Sequence, residues 1–209
     1  MSSVERTAAR VVGRSSSHFT RLVRLFAHEC KVDYELHVVT DLLATDPAAF
    51  GGHPGLKLPS LVMSDGVVFG SLNCSRALAR LATNPPRILW PEDVRSCVAA
   101  NAQELTLQAM ATEVSWLLSA ASGASETSYA TKLRASLTGM MAWLEAHVTE
   151  ACASLPSRDL SFFEAALFSL VEHLEFRTVL SLAPYPELRA FARTWGQRDS
   201  AIATAYRFD

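Results

Sequence analysis

Apolar positions change their period several times along the chain, and each change marks an element. Residues 9–13, "ARVVG", form the short apolar run of a buried strand. In "HFTRLVRLFAHECK", Phe19, Leu22, Val23 and Phe26 recur at helical spacing, which predicts an amphipathic helix facing the core. "YELHVVT", residues 34–40, reads as a second strand. "PSLVMSDGVVFG" reads as two strands joined at Asp65 and Gly66, a strong hairpin signal. "SLNCSRALARLA", residues 71–82, returns to the helical period with Ser71 in the capping position. That order predicts a small mixed α/β sheet with helices on its faces.

The pattern then breaks at "TNPPRILWPED". Asn84, Pro85 and Pro86 cannot continue a helix, so a boundary falls here. The predicted division is an α/β domain over 1–82, a linker over 83–90 and an all-helical domain over 91–209. Pro91 suits the first position of the next helix, with Glu92 and Asp93 in its first turn. Two long amphipathic segments, residues 91–118 and 127–152, flank "SAASGASE". A further helix follows Ser161, whose spacing to Glu164 predicts a reciprocal capping box. A last short helix begins at Pro186 and ends near Gly196. The chain shows no internal repeat.

Composition narrows the function classes. The 209 residues are 49% hydrophobic and 19% charged, with a formal net charge of −2. A chain of this size buries roughly 70% of its unfolded surface and needs no staple. Without a basic excess to neutralise phosphates, nucleic acid is not an expected partner. No stretch is apolar and long enough to span a bilayer, and the first ten residues carry Glu5 and Arg6 without an apolar core, so neither a membrane span nor a secretory signal is expected. Cys30, Cys74, Cys97 and Cys152 are scattered with no C-x-x-C pair, which fits reduced thiols in a cytoplasmic protein. The six histidines form no ligand motif, so no metal is expected.

Three stretches carry a resemblance to the glutathione transferase superfamily. "SSSHFTRLVRL" resembles its strand-to-helix segment, where Ser, Cys or Tyr precedes an aromatic residue and an R-x-V-R run. Ser17, Phe19, Arg21, Val23 and Arg24 fall on that pattern. "HPGLKLPSLV" is similar to N-P-x-G-K-V-P-x-L through Pro54, Lys57, Pro59 and Leu61, with His53 in place of Asn and the Gly55-Leu56 order reversed. "DGVVFGSLNCSRALAR" is similar to the D-G-x-x-(aromatic or Leu)-E-S turn through Asp65, Gly66, Phe69 and Ser71. In the second part, "SFFEAALFSLVEHLEF" and "YPELRAFARTW" resemble the family's buried capping-box helix and the helix after it. The resemblance covers essentially the whole chain. It implies a thioredoxin-like α/β N-terminal domain followed by an all-α helical bundle.

It also implies a chemistry. A free thiol ionises near pH 8.5 or so, and its thiolate is the nucleophile. A hydroxyl at a helix N-terminus stabilises that thiolate by a charge-assisted hydrogen bond, aided by the helix's positive end. Ser17 would hold that role as the catalytic residue, with Ser16 as its substitute; the other reading of Ser17 is a plain helix cap. His18 stands where relatives often carry Pro, and is expected to face solvent rather than to add a donor. Pro59 corresponds to the family's cis-proline, turning the Leu58 backbone to pair with the cysteinyl part of glutathione. Lys57 would contact the glycyl carboxylate or stay a solvated lysine. Ser71 would hold the γ-glutamyl carboxylate at a helix start. Gly70 departs from the pattern, since relatives carry Glu or Asp there to pair with the glutamyl ammonium.

Met110, Glu113 and Trp116 lie on the helix that would line an electrophile pocket, and their spacing fits core or surface positions better. Cys30 and Cys74 read as buried, inert thiols. The implied protein is a homodimeric detoxification enzyme using glutathione as co-substrate against a small apolar electrophile. Conjugation, isomerisation and dehalogenation all start from the same thiolate. The alternative is a non-catalytic binding module of the same fold.

Overall fold

Val11 and Val12 are both fully buried, although consecutive side chains on a strand point to opposite faces. The first strand must therefore be covered on both sides, and its position explains why. A computed structural model describes residues 9–209. β1 (Ala9–Gly13) pairs in parallel with β2 (Tyr34–Val38), and antiparallel with β3 (Ser60–Met63), which pairs antiparallel with β4 (Gly66–Phe69). The sheet order is β2-β1-β3-β4. On one face Val11 packs with Val23 and Ala27 of α1 (His18–Glu29) and with Cys74, Ala77 and Leu78 of α2 (Ser71–Leu81). On the other, Val12 packs with Val39 and with Phe50 of a single 3-10 turn, Pro47–Phe50. Both long helices of this unit thus share one face, and a loop covers the other.

Gly13 is required where β1 meets α1. A Cβ there would overlap Thr20 Cγ2 and Oγ1, and Thr20 is itself fully buried with Oγ1 accepting from the Arg14 N–H at 3.3 Å. Thr20 cannot turn away without giving up that bond. Gly13→Ala should therefore destabilise the protein by about 1–3 kcal/mol, as overpacking does. Urea unfolding checks this: the midpoint should fall at unchanged slope, and an unchanged midpoint would mean that α1 has room to recede.

The chain divides into two compact units: one takes in the described residues up to Pro86 together with Arg198–Asp209, the other is Arg87–Gln197. The last twelve residues therefore belong with the α/β unit, where the sequence reading assigns them to the helical one. They include α7 (Asp199–Ala203), five residues long and without a periodic signal of its own.

The second unit is built on α3 (Cys97–Ala121) packed along α4 (Ser128–Ala153), with α5 (Phe162–Phe176) against α3 and α6 (Pro186–Trp195) against α4 and α5. It is not helical throughout. β5 (Ile88–Leu89) and β6 (Leu160–Ser161) form a parallel pair, anchored by the Arg87 N–H donating to Asp159 Oδ2 at 2.8 Å. Pro91 opens only a 3-10 turn, Pro91–Asp93, because Val94 is extended; the long helix starts at Cys97. α5 is apolar on nearly every side and correspondingly buried, from Phe162 to Leu174. Its capping box is half made. Ser161 Oγ accepts from the Glu164 N–H, but the Glu164 carboxylate turns to Arg158, whose Nε donates to Oε2 at 2.6 Å. The α6 start has no cap of its own, and Glu145 of α4 supplies one by accepting from the N–H groups of Glu187 and Leu188. No helix among the described residues is long and apolar enough to cross a membrane.

Candidate functional site

Sheet register brings the three motif segments to one edge. Val12 lies opposite Ser60, and Ser60 opposite Phe69. One residue further on, β1 leaves the sheet at Gly13, the chain enters β3 from Pro59, and β4 ends at Gly70. The Gly70 N–H donates to the Pro59 carbonyl at 3.2 Å. His53 joins this edge with its ring against that of Phe69, centroids 4.6 Å apart, while its Nδ1 accepts from the Gly55 N–H.

Ser17 caps α1. Its backbone is extended, at φ −103° and ψ 127°, and its Oγ accepts from the Thr20 N–H at 3.3 Å. That bond uses a lone pair and leaves the hydroxyl proton available. No described residue accepts that proton, and the side chain is half-buried. Capping and donating to a ligand are therefore compatible at this oxygen. Ser16 is 8% exposed, which leaves Ser17 the more accessible of the two.

His18 does not face solvent. It is fully buried, with its ring edge-on to Phe19 at 4.6 Å between centroids, and it is Phe19 that is half-exposed. The reason is that α1 is covered on almost every side. Even Arg21 and Arg24 are buried, their heads placed on the Ala201 carbonyl and Tyr206 ring, and on the Tyr34 hydroxyl. Their stems supply apolar surface that the sequence pattern counts as polar.

The Leu58–Pro59 peptide is cis. Leu58 packs beside Phe50, and its own N–H and C=O hydrogen-bond to no described residue. Lys57 is exposed. At α2, Gly70 rather than Ser71 is the cap residue: it sits at φ +81° and ψ 146°, a region confined essentially to glycine. Ser71 is the first helical residue, half-buried, with a hydroxyl that caps nothing. The backbone, which bends sharply out of β4, decides this against side-chain capping preference.

Burial pushes the Cys30 thiol up to about 11, with Glu29 adding to the effect, and the Cys74 thiol up to about 12, so neither supplies a thiolate near neutral pH. On α3, Met110 and Glu113 are fully buried and Trp116 half-buried. Glu113 Oε1 lies 2.7 Å from His173 Nδ1 of α5, a pair 60 residues apart that no local motif announces. A surface groove of about 810 Å³ lies at the far end of α1, lined by Ala27 to Glu29, Lys31 to Tyr34 and Arg198 to Ser200. A twelve-residue helix is about 18 Å long, so this groove is remote from Ser17.

Residues 16–81 match the family described as "Glutathione S-transferase, N-terminal domain". No curated protein matches the sequence. Among solved structures, the chain is similar to a glutathione transferase family member from Pseudomonas fluorescens with bound glutathione, at 20% identity and a TM-score of 0.79, covering 96% of this chain and 100% of that one. A glutathione S-transferase from Methylobacterium radiotolerans in complex with glutathione sulfonate gives 19%, 0.77 and 97% of each chain. One from Methylobacillus flagellatus with glutathione bound gives 17%, 0.76, and 96% and 100%. The chain shares the fold of these glutathione transferases: a thioredoxin-like α/β domain with a mixed sheet, whose residues 16–81 match that N-terminal domain family, followed by a helical region. Ser17, Leu58, Pro59, Gly70 and Ser71 all fall inside the matched residues.

Proposed function

We propose that this protein is a glutathione transferase that ionises the glutathione thiol and directs it at a small apolar electrophile. One observation carries the reading: Ser17 keeps a transferable hydrogen bond at the sheet edge where Leu58–Pro59 and Gly70–Ser71 also end. The glutathione-bound relatives of the same fold support it.

The Leu58 N–H and C=O, unused within the described chain, would pair with the cysteinyl backbone like an added strand. Ser71, at the start of α2 with an unspent hydroxyl, would hold the γ-glutamyl carboxylate together with helix N–H groups. Exposed Lys57 would reach the glycyl carboxylate. The thiol proton leaves to water, and the Ser17 O–H donates to the sulfur anion that remains. The sulfur lone pair then forms the S–C bond. Depending on the electrophile, a leaving group departs or a double bond accepts the electrons. None of these steps draws on a metal. His18, fully buried and adjacent to Ser17 in the chain, would hold Ser17 in place rather than touch the tripeptide. The reading extends to a cytoplasmic homodimer.

Gly70 favours a second reading, a glutathione transferase-fold module that binds without turnover, because it removes the acid that relatives aim at the glutamyl ammonium. Retention on immobilised glutathione and conjugation of a generic aryl halide separate the two. Ser71→Ala should raise the glutathione Kd about tenfold, the value of one hydrogen bond to a charged group, with kcat nearly unchanged because ground and transition states lose it alike. Absence of binding to wild type at millimolar glutathione would turn the assignment to the binding module.

A further inference from the structure

Residues Arg198–Asp209 run back along α1 and grip it at three levels. At its C-terminal end, Glu29 Oε1 accepts from Ser200 Oγ at 2.6 Å and from Arg198 Nη1 at 3.0 Å. At its middle, Arg21 Nη2 donates to the Ala201 carbonyl at 3.2 Å, and the guanidinium lies 4.2 Å from the Tyr206 ring centroid. Ahead of its N-terminus, the Ser15 N–H donates to Asp209 Oδ2 at 2.7 Å. Ser200 and Thr204 are buried, and Thr204 Oγ1 donates back to the Ser200 carbonyl, so the segment is firm between its anchors.

The last contact falls on the loop that carries Ser17. Gly13 and Thr20 fix that loop at its strand and helix ends, while Ser17 N–H is held by the Arg14 carbonyl. Ser15 sits between, fully buried, and its N–H has the Asp209 carboxylate as partner. We infer that Asp209 is a positioning residue: by accepting from Ser15 it fixes the β1–α1 loop, and with it the direction in which the Ser17 hydroxyl points. The inference rests on the glutathione reading for its catalytic consequence and on geometry alone for the loop.

The carboxylate has two opposite effects. Its hydrogen bond orders the loop, whereas its negative charge near Ser17 disfavours a second anion there. The variants Asp209→Ala and Asp209→Asn separate them, since asparagine keeps an acceptor and drops the charge. Three readings are needed: exchange of the Ser15 amide, the pKa of the bound glutathione thiol, and kcat against KM. In D209A the Ser15 amide should exchange about tenfold faster, as loss of a charge-assisted bond implies. The bound thiol should titrate at higher pH, and kcat should fall more than KM rises. D209N should retain amide protection and titrate at or below the wild-type value.

Unchanged Ser15 exchange in D209A overturns the inference whatever the enzyme does. So does D209N behaving like D209A in all three readings, because charge and not the acceptor would then be acting. Failure of wild type to bind glutathione, with Ser15 still deprotected in D209A, strikes the function reading instead and leaves the loop contact standing.

Discussion

Ser17→Ala should lower kcat/KM for conjugation by about 10²–10³-fold, the usual loss when one preorganised donor to a developing or resident anion is removed. The thiol of bound glutathione should then titrate near the free-thiol value of about 8.5 rather than below it. The sign follows from the donor's preference for the anion: remove it and the protonated form gains. Activity of the variant should consequently recover as pH rises past that value, since the thiolate then forms unaided. Ser17 is also the cap of α1, and alanine costs about 1 kcal/mol of stability at such a position. Ser17→Asp disentangles the two losses. Aspartate still accepts from the Thr20 N–H, so stability should hold, but it has no proton to give and repels the sulfur anion. It should be no more active than S17A, while Ser17→Thr, retaining acceptor and donor, should stay within about tenfold of wild type. An S17A enzyme with unaltered turnover and thiol pKa would take Ser17 out of the chemistry.

What the sequence shows of this site is local. A hydroxyl residue ahead of an amphipathic run marks the α1 start, and the turn between β3 and β4 is visible in the Asp65-Gly66 pair, although the loop residues prove to be Ser64 and Asp65. The Leu58–Pro59 stretch was legible only through resemblance. Four features were hidden, two by the distance along the chain between partners and two because a competing local interaction or backbone bend overrode the expected cap. Arg21 looks like a solvated arginine until Ala201 and Tyr206, some 180 residues later, arrive to receive it. β5 and β6 are two residues each and meet across 72 residues, too short for any period to show. Glu164 satisfies the spacing of a capping box, yet Arg158 offers its carboxylate a charged partner, which outweighs a backbone N–H. Ser71 has the better capping side chain, but only Gly70 tolerates the positive φ of the bend.

That last point makes Gly70→Glu informative, because its two effects oppose each other. A glutamate here would supply the acid that the sequence resemblance implies for the glutamyl ammonium. The position is exposed, so the gain should sit at the low end for a charge-assisted contact, about 1.5 kcal/mol or roughly tenfold in glutathione affinity. A Cβ at Gly70 meets nothing within 4 Å, so the substitution brings no clash. Its cost lies in the backbone: φ +81° with ψ 146° is strained for any residue with a side chain, by about 1–3 kcal/mol. Free G70E should therefore melt lower than wild type, and the same saturating glutathione should narrow the difference by about 1.4 kcal/mol, the extra stabilisation that tenfold tighter binding gives the variant. Calorimetric titration and thermal unfolding with and without glutathione measure both sides. Gly70→Ala carries the backbone cost without the charge, and should melt lower without binding tighter. Were G70A to tighten glutathione as much as G70E, the bend and not the missing acid would be limiting affinity. Were G70E to bind no better than wild type, the γ-glutamyl end would not lie at the start of α2, and Ser71 would lose its assigned carboxylate along with it.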